Sequence, residues 1–196
     1  EAPHIEAAQN PVGWAQKKSL VATVTDAVSG VDRVFWSTDQ NATTGTAMEA
    51  SGNIYRSGSL TTNGTYYVIA YDKLSNRNVE TVTVDKIDTI PPVISDAKQN
   101  LEGETPLPKT ISAEVSDNSN SIKEVFYSKT ATGATGGTAL LLSNQRYVSP
   151  KIEYNGTYYI YAIDEAGNCT PNGMPVIVNG ITEPITEDDP VYWMGN

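Results

Sequence analysis

The string NGTYYVIAYDKLSN (Asn63–Asn76) returns 92 residues later as NGTYYIYAIDEAGN (Asn155–Asn168), with eight of fourteen positions identical. In the first of these, Tyr66, Val68 and Ala70 alternate with Tyr67, Ile69 and Tyr71. A period of two in a run rich in Val, Ile, Thr and Tyr reads as a strand with two different faces. A second pair lies upstream: VATVTDAVSGVDRVFWS (Val21–Ser37) matches SAEVSDNSNSIKEVFYS (Ser112–Ser128) at an offset of 91. The chain therefore consists of two tandem copies of a unit of about 90 residues.

The same alternation recurs along each copy. Leu20, Ala22 and Val24 take the inward places of one strand, as Ile111, Ala113 and Val115 do in the second copy. No segment sustains a helical period, and Gly, Asn and Ser break the pattern every ten residues or so. In the first copy the strands fall at His4–Ala8 (A), Ser19–Thr25 (B), Asp32–Ser37 (C), Thr65–Tyr71 (F) and Val79–Asp85 (G). The middle strands come from 43–60 and, in the second copy, from 132–152. About seven short strands in about 90 residues is the size of an immunoglobulin-like sandwich. The expected fold class is all-β, two tandem immunoglobulin-like β-sandwiches, with Tyr66 and Tyr158 as candidate tyrosine corners at the start of F. The expected domains are 1–90, 91–182 and an acidic tail, 183–196. The prolines of VDKIDTIPPVI (Val84–Ile94) hold the linker extended and semi-rigid.

Composition excludes several functions. With 13 Lys and Arg against 23 Asp and Glu, the net charge of −10 disfavours nucleic acid and anionic membranes. No apolar run approaches the roughly 18 residues of a membrane span, so no membrane insertion is expected. The chain opens without a signal peptide, as a mature fragment does. Cys169 is the one cysteine and His4 the one histidine, so no disulfide, Cys-based zinc site or Ser-His-Asp constellation can be assembled. Cys169 reads as a free thiol, and no catalytic residue or catalytic cofactor is expected.

The order GWAQKKSLVATVTDAVSGVDRVFWS, GTYYVIAYDKLSN, IDTIPPVI resembles the bacterial Ig-like repeats of large surface and secreted proteins. The residues that carry the resemblance are Trp14, Asp26, Ser29, Gly30, Tyr66, Val68, Ala70, Asp72 and Asn76. In the second copy they are Asp117, Tyr158, Ile160, Ala162, Asp164, Ala166, Gly167 and Asn168. The second copy departs from the pattern where ETPLPKT (Glu104–Thr110) stands in place of a Trp before strand B. The resemblance implies an extracellular, cell-surface or secreted, non-catalytic spacer. Its partners would be neighbouring modules of the parent chain, and it would be a monomer. Two alternatives stay open: an adhesin or glycan-binding module contacting a polysaccharide or surface protein, and an accessory segment of an extracellular enzyme.

Several residues invite a specific reading. Asp26 and Asp117 suit Asx turns between B and C, and Asn76 and Asn168 suit left-handed positions between F and G. Trp36 and Tyr127 are expected between the sheets. Tyr67, Tyr71, Tyr159 and Tyr161 are expected to point away from the core, with Phe35 and Phe126 beside them. They form a cross-strand ladder or a surface for stacking on a sugar or partner. In such a sandwich the B–C and F–G turns share the end where strand A enters. Asp117, Asp164 and Asn168 are therefore expected near the linker that carries Asp88, as oxygen ligands for calcium. The Asn-x-Thr triplets at Asn41, Asn63, Asn155 and Asn168 match the glycosylation sequon.

Overall fold

The computed structural model describes residues 1–183; the expectations placed on the tail beyond Glu183 lie outside the described residues. The chain divides into two units, the first spanning Glu1–Thr89 and the second beginning at Ile90. The first contains β1 (His4–Asn10), β2 (Ser19–Thr25), β3 (Val31–Ser37), β4 (Thr46–Ala47), β5 (Glu49–Ser51), β6 (Ile54–Arg56), β7 (Gly64–Asp72) and β8 (Arg77–Val84). The second contains β9 (Val93–Gln99), β10 (Ile111–Ser116), β11 (Ile122–Ser128), β12 (Thr138–Ala139), β13 (Leu141–Ser143), β14 (Arg146–Val148), β15 (Gly156–Asp164) and β16 (Met174–Val178). Each unit thus has eight described strands rather than about seven. Two of the middle ones, β4 and β12, are only two residues long. None of the described residues forms a helix long and apolar enough to cross a membrane.

Both units are antiparallel sandwiches with the same connectivity. The first pairs its strands as β1-β2-β6-β5 and β4-β3-β7-β8; the second as β9-β10-β14-β13 and β12-β11-β15-β16. The β3–β7 register shifts between Val31 and Arg33, and β11–β15 shifts at the matching place, between Ile122 and Glu124. Such a repeated bulge marks a designed bend rather than an accident.

The inward faces follow the alternation read from sequence. Leu20, Ala22 and Val24 of β2 meet Tyr66, Val68 and Ala70 of β7 in one buried cluster with Val34, Val82 and Val84. In the second unit Ile111, Ala113, Val125, Tyr158, Ile160, Ala162, Val176 and Val178 do the same. Trp36 and Tyr127 lie partly buried against these clusters, each edge-on to a corner tyrosine. Fully burying a side chain of Leu or Ile size stabilises by roughly 1.5–3 kcal/mol, so these strands hold the sheets together. The tyrosine corners form as expected. The Tyr66 hydroxyl donates to the Thr62 carbonyl at 2.9 Å and that of Tyr158 to the Tyr154 carbonyl at 2.8 Å.

The Asn of the repeated pentapeptide does not make a hairpin. Asn63 Nδ2 donates to the Ile87 carbonyl at 3.0 Å while its Oδ1 accepts the Ile87 N–H at 2.8 Å. Asn155 treats Ile181 identically, both bonds being 2.9 Å. One side-chain amide thereby satisfies both main-chain groups of a residue that has just left the sheet. Alongside it, the exit segment runs parallel to the stretch preceding strand B, through the bridges Ala15–Ile87 and Thr105–Ile181.

Candidate functional site

Of the carboxylates singled out from the sequence, Asp26 and Asp117 sit in the turns after β2 and β10, and Asp72 and Asp164 are the last residues of β7 and β15. In the first unit Asp26 Oδ1 accepts the N–H groups of Val28, Ser29 and Gly30 at 2.7–3.0 Å, a full Asx turn. Those bonds, led by that from Gly30, outweigh its partial desolvation and hold its carboxyl below the usual range. Asp72 Oδ1 accepts the N–H groups of Leu74 and Asn76, and its Oδ2 accepts the Asn76 amide and the Ser29 hydroxyl, each at 2.7 Å. Burial pushes Asp72 upward, but the Asn76 and Ser29 side chains and the two N–H groups prevail and bring it to about 2. Ser29 also touches Asp26 Oδ1 at 3.2 Å, so its hydroxyl stands between the two carboxylates.

The second unit keeps the two carboxylates and loses that hydroxyl. Asp164, fully buried, accepts the Asn168 N–H at 2.8 Å and the Asn168 amide at 2.7 Å. Asp117 Oδ2 accepts the Ser119 N–H at 2.8 Å and the Ser119 hydroxyl. Asn120, with φ of 54°, occupies the place of Ser29. Asp117 Oδ1 is buried and accepts no hydrogen bond from the described residues. Asp117 and Asp164 each present a carboxylate oxygen within 4.8 Å of the other. A desolvated carboxylate oxygen beside a second carboxylate is costly unless a cation or proton shares it. All the donors are oxygens, which suits a hard cation such as calcium and not zinc. Of the four expected metal residues, the structure brings Asp117, Asp164 and Asn168 together in the second unit. Asp88 belongs to the first, where its N–H donates to the Ala15 carbonyl at 3.0 Å.

The left-handed residues of the two F–G turns are Ser75 (φ 68°) and Gly167 (φ 86°), not Asn76 and Asn168. The asparagines instead turn their amides onto Asp72 and Asp164, a stronger use of a side chain with two donors and a carboxylate in reach. Asn63, Asn155 and Asn168 thus have their amides engaged, whereas the fourth sequon asparagine, Asn41, is exposed.

The expected aromatic surface is corrected by a second, outer core. Tyr71 is 8% exposed and Tyr161 0%. Tyr71 stacks on Phe35 with ring centroids 6.3 Å apart, and Tyr161 on Phe126 at 5.4 Å. The segments joining β3 to β4 and β11 to β12 fold over this face of the sheet. They contribute Ala42 and Ala134, and the Tyr161 hydroxyl donates to the Thr130 carbonyl at 2.8 Å. Tyr67 and Tyr159 are partly buried against the same clusters. The rings do leave the inter-sheet core, but a covering loop takes the place of solvent, so Tyr71 and Tyr161 offer no face to a sugar. Gly45 and Gly137 permit the cover. A Cβ on Gly45 would meet the Trp36 carbonyl oxygen at 2.4 Å, and one on Gly137 the Tyr127 carbonyl oxygen at 2.0 Å. Cys169 packs at the edge of the outer cluster, and burial pushes its thiol up, toward the inert end of cysteine behaviour.

A concavity of about 460 Å³ lies in the second unit between Pro106, Pro108, Tyr154 and Ile181, with Glu153 and Glu183 beside it. No histidine or cysteine lines it.

No family model matches this chain, and no curated protein matches it. Among solved structures it is similar to the I-band fragment I67-I69 from titin. That likeness has 13% identity and a TM-score of 0.51, covering 91% of this chain and 66% of that one. It is also similar to the fibronectin(III)-like modules of CbhA from Clostridium thermocellum, at 16% identity and a TM-score of 0.44, covering 92% and 98%. The likeness to the titin fragment is one of fold alone: tandem sandwiches of the immunoglobulin kind.

Proposed function

We propose that this chain is a pair of non-catalytic spacer units from a bacterial cell-surface or secreted multimodular protein, holding a neighbouring domain away from the envelope. The observation that carries this reading is the repeated fastening of each exit segment to its own unit, Asn63 on Ile87 and Asn155 on Ile181. A spacer must fix the direction in which the chain leaves each unit, and a binding module has no such need. The buried outer face supports it too, since Tyr71 and Tyr161, two of the four rings that a glycan-binding module would present, are taken up by packing. Small-angle scattering of the whole chain is expected to give an elongated two-lobed particle with one dominant orientation. A compact globule would refute the spacer.

Calcium binding goes with this reading. The Asp117–Asp164 pair, the Asn168 side chain beside it and the unshared Asp117 Oδ1 favour a cation within the second unit. In the first unit the Ser29 hydroxyl fills the corresponding space, so no comparable affinity is expected there. Calorimetry with calcium, and melting with calcium against chelator, should show binding that Asp164→Ala and Asp117→Ala weaken. Heat and melting curves indifferent to calcium would leave these aspartates as turn formers.

A further inference from the structure

Each unit buries a lysine just before its second strand, Lys18 at 3% exposure and Lys109 at 0%. Lys109 is the more unusual. Its Nζ donates to three main-chain carbonyls, Leu101 at 2.9 Å, Gly103 at 2.8 Å and Asn179 at 2.6 Å, and no ion pair to it is found among the described residues. Three acceptors claim all three protons of an ammonium, so the side chain acts as a fixed cation inside a cage of carbonyl oxygens. The cage spans two separate stretches of chain: Leu101 and Gly103 follow β9, and Asn179 follows β16. Gly180 allows the approach. Its φ is 71°, and a Cβ there would meet the Gly103 carbonyl oxygen at 2.3 Å.

The same two stretches are joined by four further bonds. Gln99 Nε2 donates to Asn179 Oδ1 at 2.9 Å and the Asn179 N–H returns to Gln99 Oε1 at 3.2 Å. The Thr105 N–H donates to the Gly180 carbonyl at 2.8 Å and the Thr182 N–H to the Thr105 carbonyl at 2.9 Å. The Thr105–Ile181 bridge is parallel, so both stretches run the same way. Tension on the chain enters the unit ahead of β9 and leaves it after Thr182. It therefore pulls one stretch backward and the other forward, and every bond between them is loaded at once, in shear. Lys109 sits at the centre of this patch and is its one charged donor.

The geometry points to Lys109 as a mechanical latch: its buried ammonium, shared between the carbonyls after β9 and after β16, makes the second unit resist extension along the chain. This rests on the spacer reading and says which bonds carry the load. The first unit has a weaker version. Lys18 Nζ reaches Gln9 Oε1 at 3.0 Å and the Val12 carbonyl at 3.2 Å, but its link to the exit side is the Asp85 carboxylate at 3.8 Å. The parallel bridge remains, with the Ala15 N–H on the Lys86 carbonyl and the Asp88 N–H on the Ala15 carbonyl, both at 3.0 Å. The second unit is the stronger of the two.

The test is single-molecule extension of the whole chain, held by its two ends at constant force. The wild type should show two unfolding events of different lifetime. Lys109→Met should shorten the longer lifetime on the order of tenfold or more, the effect of losing charge-assisted hydrogen bonds. Lys18→Met should change the other lifetime less. Thr105→Pro, which removes the N–H that bonds Gly180 and the hydroxyl that accepts the Leu107 N–H but leaves the lysine in place, should shorten the same lifetime and keeps the test decisive should Lys109→Met not fold. Tyr161→Phe serves as the control. It weakens the same unit away from the load path and should leave the lifetime under force within about twofold of wild type. Lifetimes under force that Lys109→Met and Thr105→Pro leave unchanged, or that Tyr161→Phe shortens as much as they do, would overturn the latch. Either result would leave the scattering test of the spacer untouched.

Discussion

Tyr161→Ala separates the outer core from a surface ladder more sharply than any other substitution. The ring is fully buried, lies nearly parallel to Phe126 at an interplanar angle of 10°, and its hydroxyl holds the Thr130 carbonyl. Truncation removes the stacked ring, opens a cavity under the covering loop and leaves that carbonyl without its donor. Large aromatic-to-alanine changes in well-packed cores cost about 3–5 kcal/mol. With a urea slope of about 1.5 kcal/mol/M for a unit of this size, the midpoint of the second unit should fall by about 2–3 M. The assay is urea titration of the whole chain, read through the amide signals of β15 so that the first unit does not mask the second. Tyr154→Ala is the comparison, because Tyr154 is 75% exposed and only its main chain holds the corner hydroxyl. Its cost should stay within about 0.5 kcal/mol. A Tyr161→Ala midpoint within about 0.5 M of wild type would refute the outer core, since a solvent-facing ring costs no more than that.

Gly137→Ala should destabilise the second unit by about 1–3 kcal/mol or more, because the new methyl meets main chain that cannot step aside; its melting temperature reports this. Asn155→Ala leaves both the N–H and the carbonyl of Ile181 without their partner. It should cost about 1–3 kcal/mol and speed hydrogen exchange at Ile181 while β11 stays protected. Asp72, held at about 2 against an ordinary 3.8, contributes stability that is complete above 3.8 and is lost as pH falls toward 2. Urea midpoints of the first unit should therefore drop between pH 4 and 2, and Asp72→Asn should flatten that segment; an unchanged slope in the variant would count against the turn as its source.

Much of the sandwich could be read from the chain because both copies obey the same alternation. Leu20, Ala22 and Val24 and their counterparts can face only one sheet, and the tandem match fixed which strands correspond. The tyrosine corner and the Asx turns were equally legible, since each is a local bond with its own residue signature. The outer core was not. Alternation says that Tyr71 and Tyr161 leave one face, but it is silent on whether water or a loop awaits them on the other. The signal lay in Gly45-Thr46-Ala47 and Gly137-Thr138-Ala139, the same triplet after the same strand in both copies. A glycine held at one place by two diverged units marks a close main-chain approach. The roles of Lys18 and Lys109 were hidden for a different reason. A lysine beside a strand ordinarily keeps its ammonium in water, and only the fold can bring the three carbonyls of Leu101, Gly103 and Asn179 to one point. Among the carboxylates, the sequence named Asp117 and Asp164 and set Asn120 opposite Ser29, but only the turn shows that the exchange leaves Asp117 Oδ1 without a donor among the described residues.

The double cover on β7 and β15 also accounts for which words of the repeat have survived drift. In an ordinary sandwich strand every second residue faces water and can wander, and the two copies have wandered freely at such places: Glu49-Ala50 in one edge strand stands against Leu141-Leu142 in the other. NGTYY has little of that latitude. Its Asn fastens the departing chain, its first Tyr closes the corner inside, and its second Tyr packs, partly buried, against the outer cluster. A pentapeptide with obligations in three directions cannot exchange one residue without a compensating change elsewhere. Identity between the copies there is the trace of crowding, and the same trace would locate strand F in any further unit of such an array.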